Sequence, residues 1–283
     1  MIRKVKLLTK NILKQFHIYD WVRDVWFNFN YKGKARYTLH FKNLYIAYST
    51  EDSYSKKWFY PRYLNRVHEP ALLNQLVHEL NKSDCFIDIG ANLGFFTCVG
   101  AAICTEGSVH AFEMDPKCIP LIKRNIELNN FNNVTITNAA VADKSGTEFI
   151  PLKATPDPQL MLVGKDISSK EGYLEIPSIS LDEYVRQRGI EPNLIKIDAE
   201  GAEYFILKGM SSLLEKNQLK VLVEIHCKKL EKFGEHFSDV LKLLESKGFS
   251  MMEVIEHRVQ SSTTRKINSS SQLTGNVMIF ASK

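Results

Sequence analysis

Asp88-Ile89-Gly90-Ala91-Asn92-Leu93-Gly94 closes a short apolar run with an acid and two glycines four residues apart. Glycine lets a backbone turn sharply and lets a ligand approach it. A helix opening just after such a turn offers unpaired N–H groups. This is the layout of a nucleotide- or nucleoside-binding first loop in an α/β fold. The spacing excludes two phosphate binders. A P-loop requires Gly-x-x-x-x-Gly-Lys-Ser/Thr, and no lysine or hydroxyl follows Gly94 in that register; a dinucleotide loop requires Gly-x-Gly-x-x-Gly. Asp88 would repel a pyrophosphate, so a cationic or zwitterionic ligand is the better match. Glu113 closes the next apolar run, where a carboxylate can accept both hydroxyls of a ribose.

The elements that must position these residues follow from periodicity. From Cys85 onward apolar runs and amphipathic stretches alternate: strand 85–89, helix 94–104, strand 108–113, helix 117–129, strand 134–138. Short strands at 147–152 and 173–179 flank a polar loop, 153–171, and helix 180–188 is capped by Ser180. Strand 193–198, a helical pair over 202–216, strand 219–225, helix 235–247 and strands 249–255 and 276–281 complete the pattern. This rhythm predicts a Rossmann-like α/β fold, a seven-stranded, mostly parallel sheet with helices on both faces. Segment 256–274 reads as a polar loop. Upstream, 35–49 alternates like a hairpin turning near Lys42-Asn43, and a helix is expected over 71–80.

Ligands in such sheets bind outside the carboxyl ends of the strands. That rule adds Asn138-Ala139-Ala140, where small residues let an adenine lie against the backbone. It also adds Asp198-Ala199-Glu200-Gly201-Ala202-Glu203, with three carboxylates in six residues, and Glu224-Ile225-His226. The cofactor candidates are thus Asp88, Gly90, Asn92, Gly94, Glu113, Asn138, Ala139 and Asp198. Taken together these features resemble the S-adenosylmethionine site of class I methyltransferases. Asp-Ile-Gly-Ala-Asn-x-Gly, the Phe-Glu-x-x-Pro of Phe112 to Pro116, Lys-Ile-Asp-Ala-Glu-Gly-Ala-Glu at 196–203 and Val-Glu-Ile-His at 223–226 resemble the FkbM-type methyltransferases in order and spacing over about 69–281. The resemblance implies S-adenosylmethionine as cofactor and a hydroxyl on a sugar, glycan, glycolipid or secondary metabolite as acceptor. The Asp/Asn-Pro-Pro-Tyr/Phe signature of amino-group methyltransferases is missing after strand 193–198, which weighs against amine acceptors.

Two routes to activating a hydroxyl stay open. His226 can act as general base, its unperturbed pKa of about 6.5 suiting neutral pH, beside Glu200 and Asp198. Alternatively, some of Asp198, Glu200, Glu203, Glu224 and His226 can hold a divalent metal that acidifies the hydroxyl. The sequence does not require the metal, and the base is the preferred expectation. Simpler roles compete: His226 as a strand-end cap, and Glu203 as a first-turn acid facing the helix dipole.

Bulk properties bound the rest. Of 283 residues, 44% are hydrophobic and 24% charged, with a net charge of +5. No apolar run reaches the length of a membrane span, and five cysteines without Cys-x-x-Cys spacing point to a reducing compartment. Residues 1–66 hold 14 Lys/Arg against 4 Asp/Glu, a balance of +10 that leaves −5 for the remainder, together with all three tryptophans and 16 of the 30 aromatics. The chain therefore divides into a basic, aromatic-rich extension over 1–68 and a methyltransferase domain over 69–283. Val5, Leu8, Ile12 and Phe16 recur at near-helical spacing between lysines, a pattern able to touch an anionic membrane. A cytoplasmic protein with peripheral membrane contact is the expectation. RNA, held by charge and stacking, is the alternative acceptor, and a non-catalytic cofactor-binding scaffold is the third reading.

Overall fold

The structure, a computed structural model, describes residues 29, 35–63, 67, 69–163, 169–255 and 263–283. The amphipathic pattern over 5–16, and His257 and Arg258, lie outside the described residues.

The main sheet is assembled from β3 (Cys85–Ile89), β4 (Ser108–Phe112), β5 (Val134–Thr137), β9 (Leu194–Ile197), β10 (Lys220–His226), β11 (Ser250–Ile255), β12 (Thr263–Ile267) and β13 (Asn276–Ser282). Its order is β12-β11-β13-β10-β9-β3-β4-β5. Pairing is parallel from β10 through β5 and antiparallel where β13 inserts between β10 and β11. Every residue of β3 and β9 is buried, as expected of central strands covered on both faces. Alternate side chains feed two cores. Ile87, Ile195 and Val223 point to one face, which α5 (Leu181–Arg188), α6 (Glu203–Lys208) and α7 (Phe237–Ser246) cover. Phe86, Leu194 and Leu222 point to the other, under α2 (Pro70–Glu79), α3 (Phe95–Ile103) and α4 (Ile119–Leu128).

The expected seven strands become eight. β12 lies in the segment read as a polar loop, and four of its five residues are exposed. It pairs along β11 as an edge strand, with Arg265 bonded to Glu253 across the pair. A strand held by backbone pairing with both faces wet leaves no alternating apolar signature. A second sheet, β6 (Ala140–Val141), β8 (Tyr173–Ile179) and β7 (Gly146–Pro151) in the order β6-β8-β7, packs beside the first. Ser180 caps α5 as expected, accepting from the Glu183 N–H.

Residues 36–63 share the core of the domain. Hairpin β1 (Arg36–Phe41) and β2 (Leu44–Ser49) turns at Lys42, φ 51°. Asn125 of α4 and Asn129, which caps its C-terminus, hydrogen-bond the β2 backbone at Ser49 and Ala47. The sequence reading had no helix after it, but α1 (Ser53–Tyr63) forms there, with Asp52 accepting from the Ser55 N–H at 2.8 Å. Pro61, a breaker in sequence terms, sits in the last turn. Phe59 and Tyr63 are buried against Phe95, the Tyr63 ring centroid 4.6 Å from that of Phe95. No helix among the described residues is long and apolar enough to cross a membrane.

Candidate active site

The glycine turn after β3 is dictated by crowding. Gly90 has φ +78°, and a Cβ there would stand 1.9 Å from the Asp198 carbonyl oxygen. The Gly90 and Ala91 N–H groups both donate to the Phe112 carbonyl at 3.0 Å, tying the turn to the end of β4. Asn92 follows at φ 51°, a conformation asparagine tolerates better than most residues. Its N–H donates to Glu113 Oε2 at 2.7 Å, and its side-chain oxygen accepts from the Tyr54 hydroxyl at 2.8 Å. Glu113 Oε1 accepts from the Asp115 N–H at 2.8 Å. Each carboxylate oxygen is thus anchored once, with a lone pair to spare. Burial is the main reason the Glu113 pKa rises, to about 7, against the two backbone hydrogen bonds that favour its charge.

These residues line one side of a cavity of about 510 Å³ at the carboxyl ends of the strands, within the range of small-molecule sites. Gly90, Asn92, Glu113, Ala139 and Asp198 are in its wall, as are Glu200, Glu224 and His226. Three sequence candidates stand behind the wall. Asp88, fully buried, is paired with Lys196 Nζ at 3.1 Å and accepts from Thr97 Oγ1 at 2.7 Å. The two residues sit opposite each other on β3 and β9. Asp88 therefore stands beneath the turn, outside the cavity wall, where a carboxylate in a dry layer needs its partner. Gly94 opens α3 with φ +76°, packed on Ile122. Asn138 donates to the Glu113 and Met114 carbonyls at 2.8 and 3.3 Å, fixing the acid-bearing corner.

Across the cavity, β9 and β10 end side by side and deliver the acidic cluster. Glu203, the first residue of α6 and wholly buried, places Oε1 2.8 Å from His226 Nδ1, and the same oxygen accepts from the Gly201 N–H. On the opposite ring edge, His226 Nε2 lies 3.3 Å from Glu200 Oε2 and 3.9 Å from both Asp198 Oδ1 and Glu224 Oε1. Burial disfavours a charged imidazole here. The Glu203 hydrogen bond and the charges of Glu203, Asp198 and Glu200 outweigh it, and the His226 pKa rises to about 9. That lies above the unperturbed value of about 6.5 on which the expected base role rests. Glu200 adopts φ 50° and pairs with Lys229. Of the five residues named for a metal, Asp198, Glu224 and His226 each bring a ligand atom within 4.8 Å of the other two.

Three parts of the wall escaped the sequence reading: Trp58 and Arg62 from α1, Lys196, and Gln159-Leu160 from the loop after β7. A lone lysine inside a four-residue apolar strand was the available signal for the Asp88 pair, since a buried ammonium demands an acid.

A parallel sheet with one antiparallel strand inserted before its last long neighbour, a glycine turn after the first strand and an acid ending the second define a class I methyltransferase. A profile of the methyltransferase FkbM domain matches residues 88–251. The chain belongs to the FkbM methyltransferase family. It is 28% identical over 201 residues to the hexuronic acid methyltransferase AglP of Haloferax volcanii, covering 71% of this chain and 76% of that protein. It is also 28% identical over 193 residues to methyltransferase 1 of Beauveria bassiana, covering 59% and 73%. Among solved structures, the methyltransferase FkbM of Methylobacillus flagellatus KT aligns with TM-score 0.46 at 14% identity, covering 71% of this chain and 44% of that one.

Proposed function

We propose that this protein transfers a methyl group from S-adenosylmethionine to a hydroxyl of a sugar or glycan. One observation carries the reading: a doubly anchored Glu113 faces, across a single cavity, the acidic cluster centred on His226. The cofactor fits the residues present. Gly90, Ala91 and Asp198 are all in the cavity wall, where the turn offers backbone to a ligand. Glu113 suits a ribose diol, and Ala139 leaves a flat surface for adenine. Bound there, S-adenosylmethionine supplies a sulfonium methyl carbon; the acceptor oxygen takes the methyl, sulfur keeps the bonding pair, and one proton is released.

The chain's own residues must position the hydroxyl and take up that proton. Asp198 is the most exposed member of the cluster, at 32% of its side chain. Trp58 and Arg62 form the outer wall, Arg62 lying 5.2 Å over the Trp58 ring. A guanidinium held beside an aromatic ring suits an acidic sugar, whose carboxylate it can pair. Both residues come from α1, outside the span matched by the family profile, where acceptor preference is free to differ among relatives. The hexuronic acid activity in the name of the Haloferax relative supports the same class.

The test is calorimetry with S-adenosylmethionine, followed by detection of S-adenosylhomocysteine on adding hexuronate-containing glycans, neutral glycans or RNA. Cofactor heat and product release with uronate glycans are expected. Saturation by NADH or ATP in place of S-adenosylmethionine, or methyl label recovered in RNA alone, refutes the assignment.

A further inference from the structure

The geometry points to a divalent-cation site between Asp198, Glu224 and His226, of a chemistry suited to Mn²⁺ or Mg²⁺, with the ion placed to grip the acceptor hydroxyl. What the ion does rests on the methyltransferase reading; that it binds does not.

The spacing is the first argument. His226 Nε2 is 3.9 Å from Asp198 Oδ1 and from Glu224 Oε1, and all three ligand atoms lie within 4.8 Å of one another. An ion inside that triangle stands about 2.3–2.5 Å from each corner, a contraction of a few tenths of an ångström short of the octahedral bonds of hard divalent cations. Two carboxylates and one imidazole suit Mn²⁺, which accepts both donor types; Mg²⁺ is the harder competitor.

The second argument is the support behind the ligands. A metal-binding histidine characteristically donates its other ring N–H to a carboxylate, which fixes the tautomer and aims the free lone pair at the metal. His226 has that arrangement: Nδ1 meets the wholly buried Glu203 at 2.8 Å, and Nε2 faces the cavity. Glu203 is itself held by the Gly201 N–H at 2.8 Å. Asn276 of β13, also in the cavity wall, donates to Glu224 Oε1 at 3.4 Å and steadies the second ligand. A role as strand cap would not need a buried carboxylate behind the ring.

Charge is the third. Lys196 is bonded to Asp88, with a weaker attraction to Asp198, and Lys229 is paired with Glu200. Glu200, also suggested by sequence, is thereby drawn toward Lys229. The three ligands end adjacent rigid strands or follow them directly, and an ion in their plane keeps the positions above and below that plane open for acceptor oxygen and water. An ion there bonds the acceptor hydroxyl and lowers its pKa, the proton passing to cavity water.

The full-length protein, stripped with a chelator, is titrated with Mn²⁺ and followed by electron paramagnetic resonance. One tightly held Mn²⁺ per chain is expected, displaced by Mg²⁺ in excess. Asp198→Asn, at the accessible corner, should weaken it tenfold or more, and Glu203→Gln about 10- to 100-fold. Melting curves on both variants separate lost ligation from lost fold. No saturable Mn²⁺ at millimolar concentration, or wild-type affinity in a folded Asp198→Asn protein, overturns the inference, as does turnover indifferent to chelator. Calorimetry of S-adenosylmethionine on the stripped protein is read separately. Mn²⁺ bound without cofactor heat leaves the metal site standing and removes the methyltransferase mechanism; the reverse result does the opposite.

Discussion

Replacing Lys196 with Met tests the claim that Asp88 supports the cofactor turn from below. The pair is 3.1 Å apart with both side chains at most 2% exposed. The Lys196 pKa stays raised, the attraction of Asp88 and Asp198 overcoming the cost of burial. At that separation and an effective dielectric near 20, the attraction is about 5 kcal/mol before desolvation. Methionine fills a similar volume, so little cavity forms. What remains is a carboxylate in a dry layer with Thr97 as its hydrogen-bond donor. Breaking a buried pair from one side costs about 3–5 kcal/mol, which for a chain of this length lowers Tm by roughly 10 °C. Urea unfolding of wild type, K196M, D88N and D88N/K196M provides the cycle. The double variant removes both charges, while the new amide oxygen can still accept from Thr97. It should therefore recover at least half of the single-variant loss, a coupling of about 2 kcal/mol or more. A K196M loss below about 1 kcal/mol, or single losses that simply add, refutes the reasoning.

Other expectations are quicker to check. Gly90→Ala places a methyl 1.9 Å from the Asp198 carbonyl at φ +78°; it should cost at least about 2 kcal/mol and abolish cofactor heat. Glu113→Gln keeps one acceptor oxygen where two backbone N–H groups need it, and should weaken S-adenosylmethionine about tenfold or more by calorimetry. The same residue predicts a pH trend. Its folded pKa of about 7 lies above the ordinary 4.5, so between those values the folded state binds more protons than the unfolded. Unliganded stability should therefore fall as pH rises from 4.5 to 7, by on the order of 3 kcal/mol, and level off above. Urea midpoints measured across that range should lose most of this slope in Glu113→Gln. Trp58→Ala should raise the acceptor KM about 3- to 10-fold and leave the cofactor Kd unchanged; the reverse split removes α1 from the acceptor side.

Most of the main sheet was legible because buried strands are continuous apolar runs and the helices between them repeat every three to four residues. The acids ending β3 and β4 and following β9 could be read for the same reason: a charge at the exit of a buried strand marks its carboxyl end. Orientation was not legible. Asp88 and Glu113 look equivalent in sequence, yet Asp88 turns into the layer between sheet and helices while Glu113 turns to the cavity. The difference is set by Lys196, over a hundred residues away, and by the strand register that opposes the two. β12 and α1 were hidden by composition, one by its exposed side chains and the other by Pro61 near its end. His226 was found by position, but its proton affinity depends on Glu203 behind it, a distance that spacing along the chain does not carry.

The cavity's charge balance links these observations. A positively charged cofactor is drawn by carboxylates, but its sulfonium loses that charge as methyl moves, so bare acids beside it hold the ground state more strongly than the transition state. This fold answers by pairing: Asp88 with Lys196 and Glu200 with Lys229. Glu113 is restrained by two backbone donors and by burial that lifts its pKa. Asp198 and Glu224 each lie 3.9 Å from His226 Nε2. A proton on the imidazole offsets one of these charges while blocking the nitrogen that would act as base. A divalent ion offsets both and leaves His226 neutral, with Glu203 accepting from Nδ1. Under the proposed function, compensation by metal meets two requirements of hydroxyl methylation at one place, whereas compensation by proton meets the first at the expense of the second.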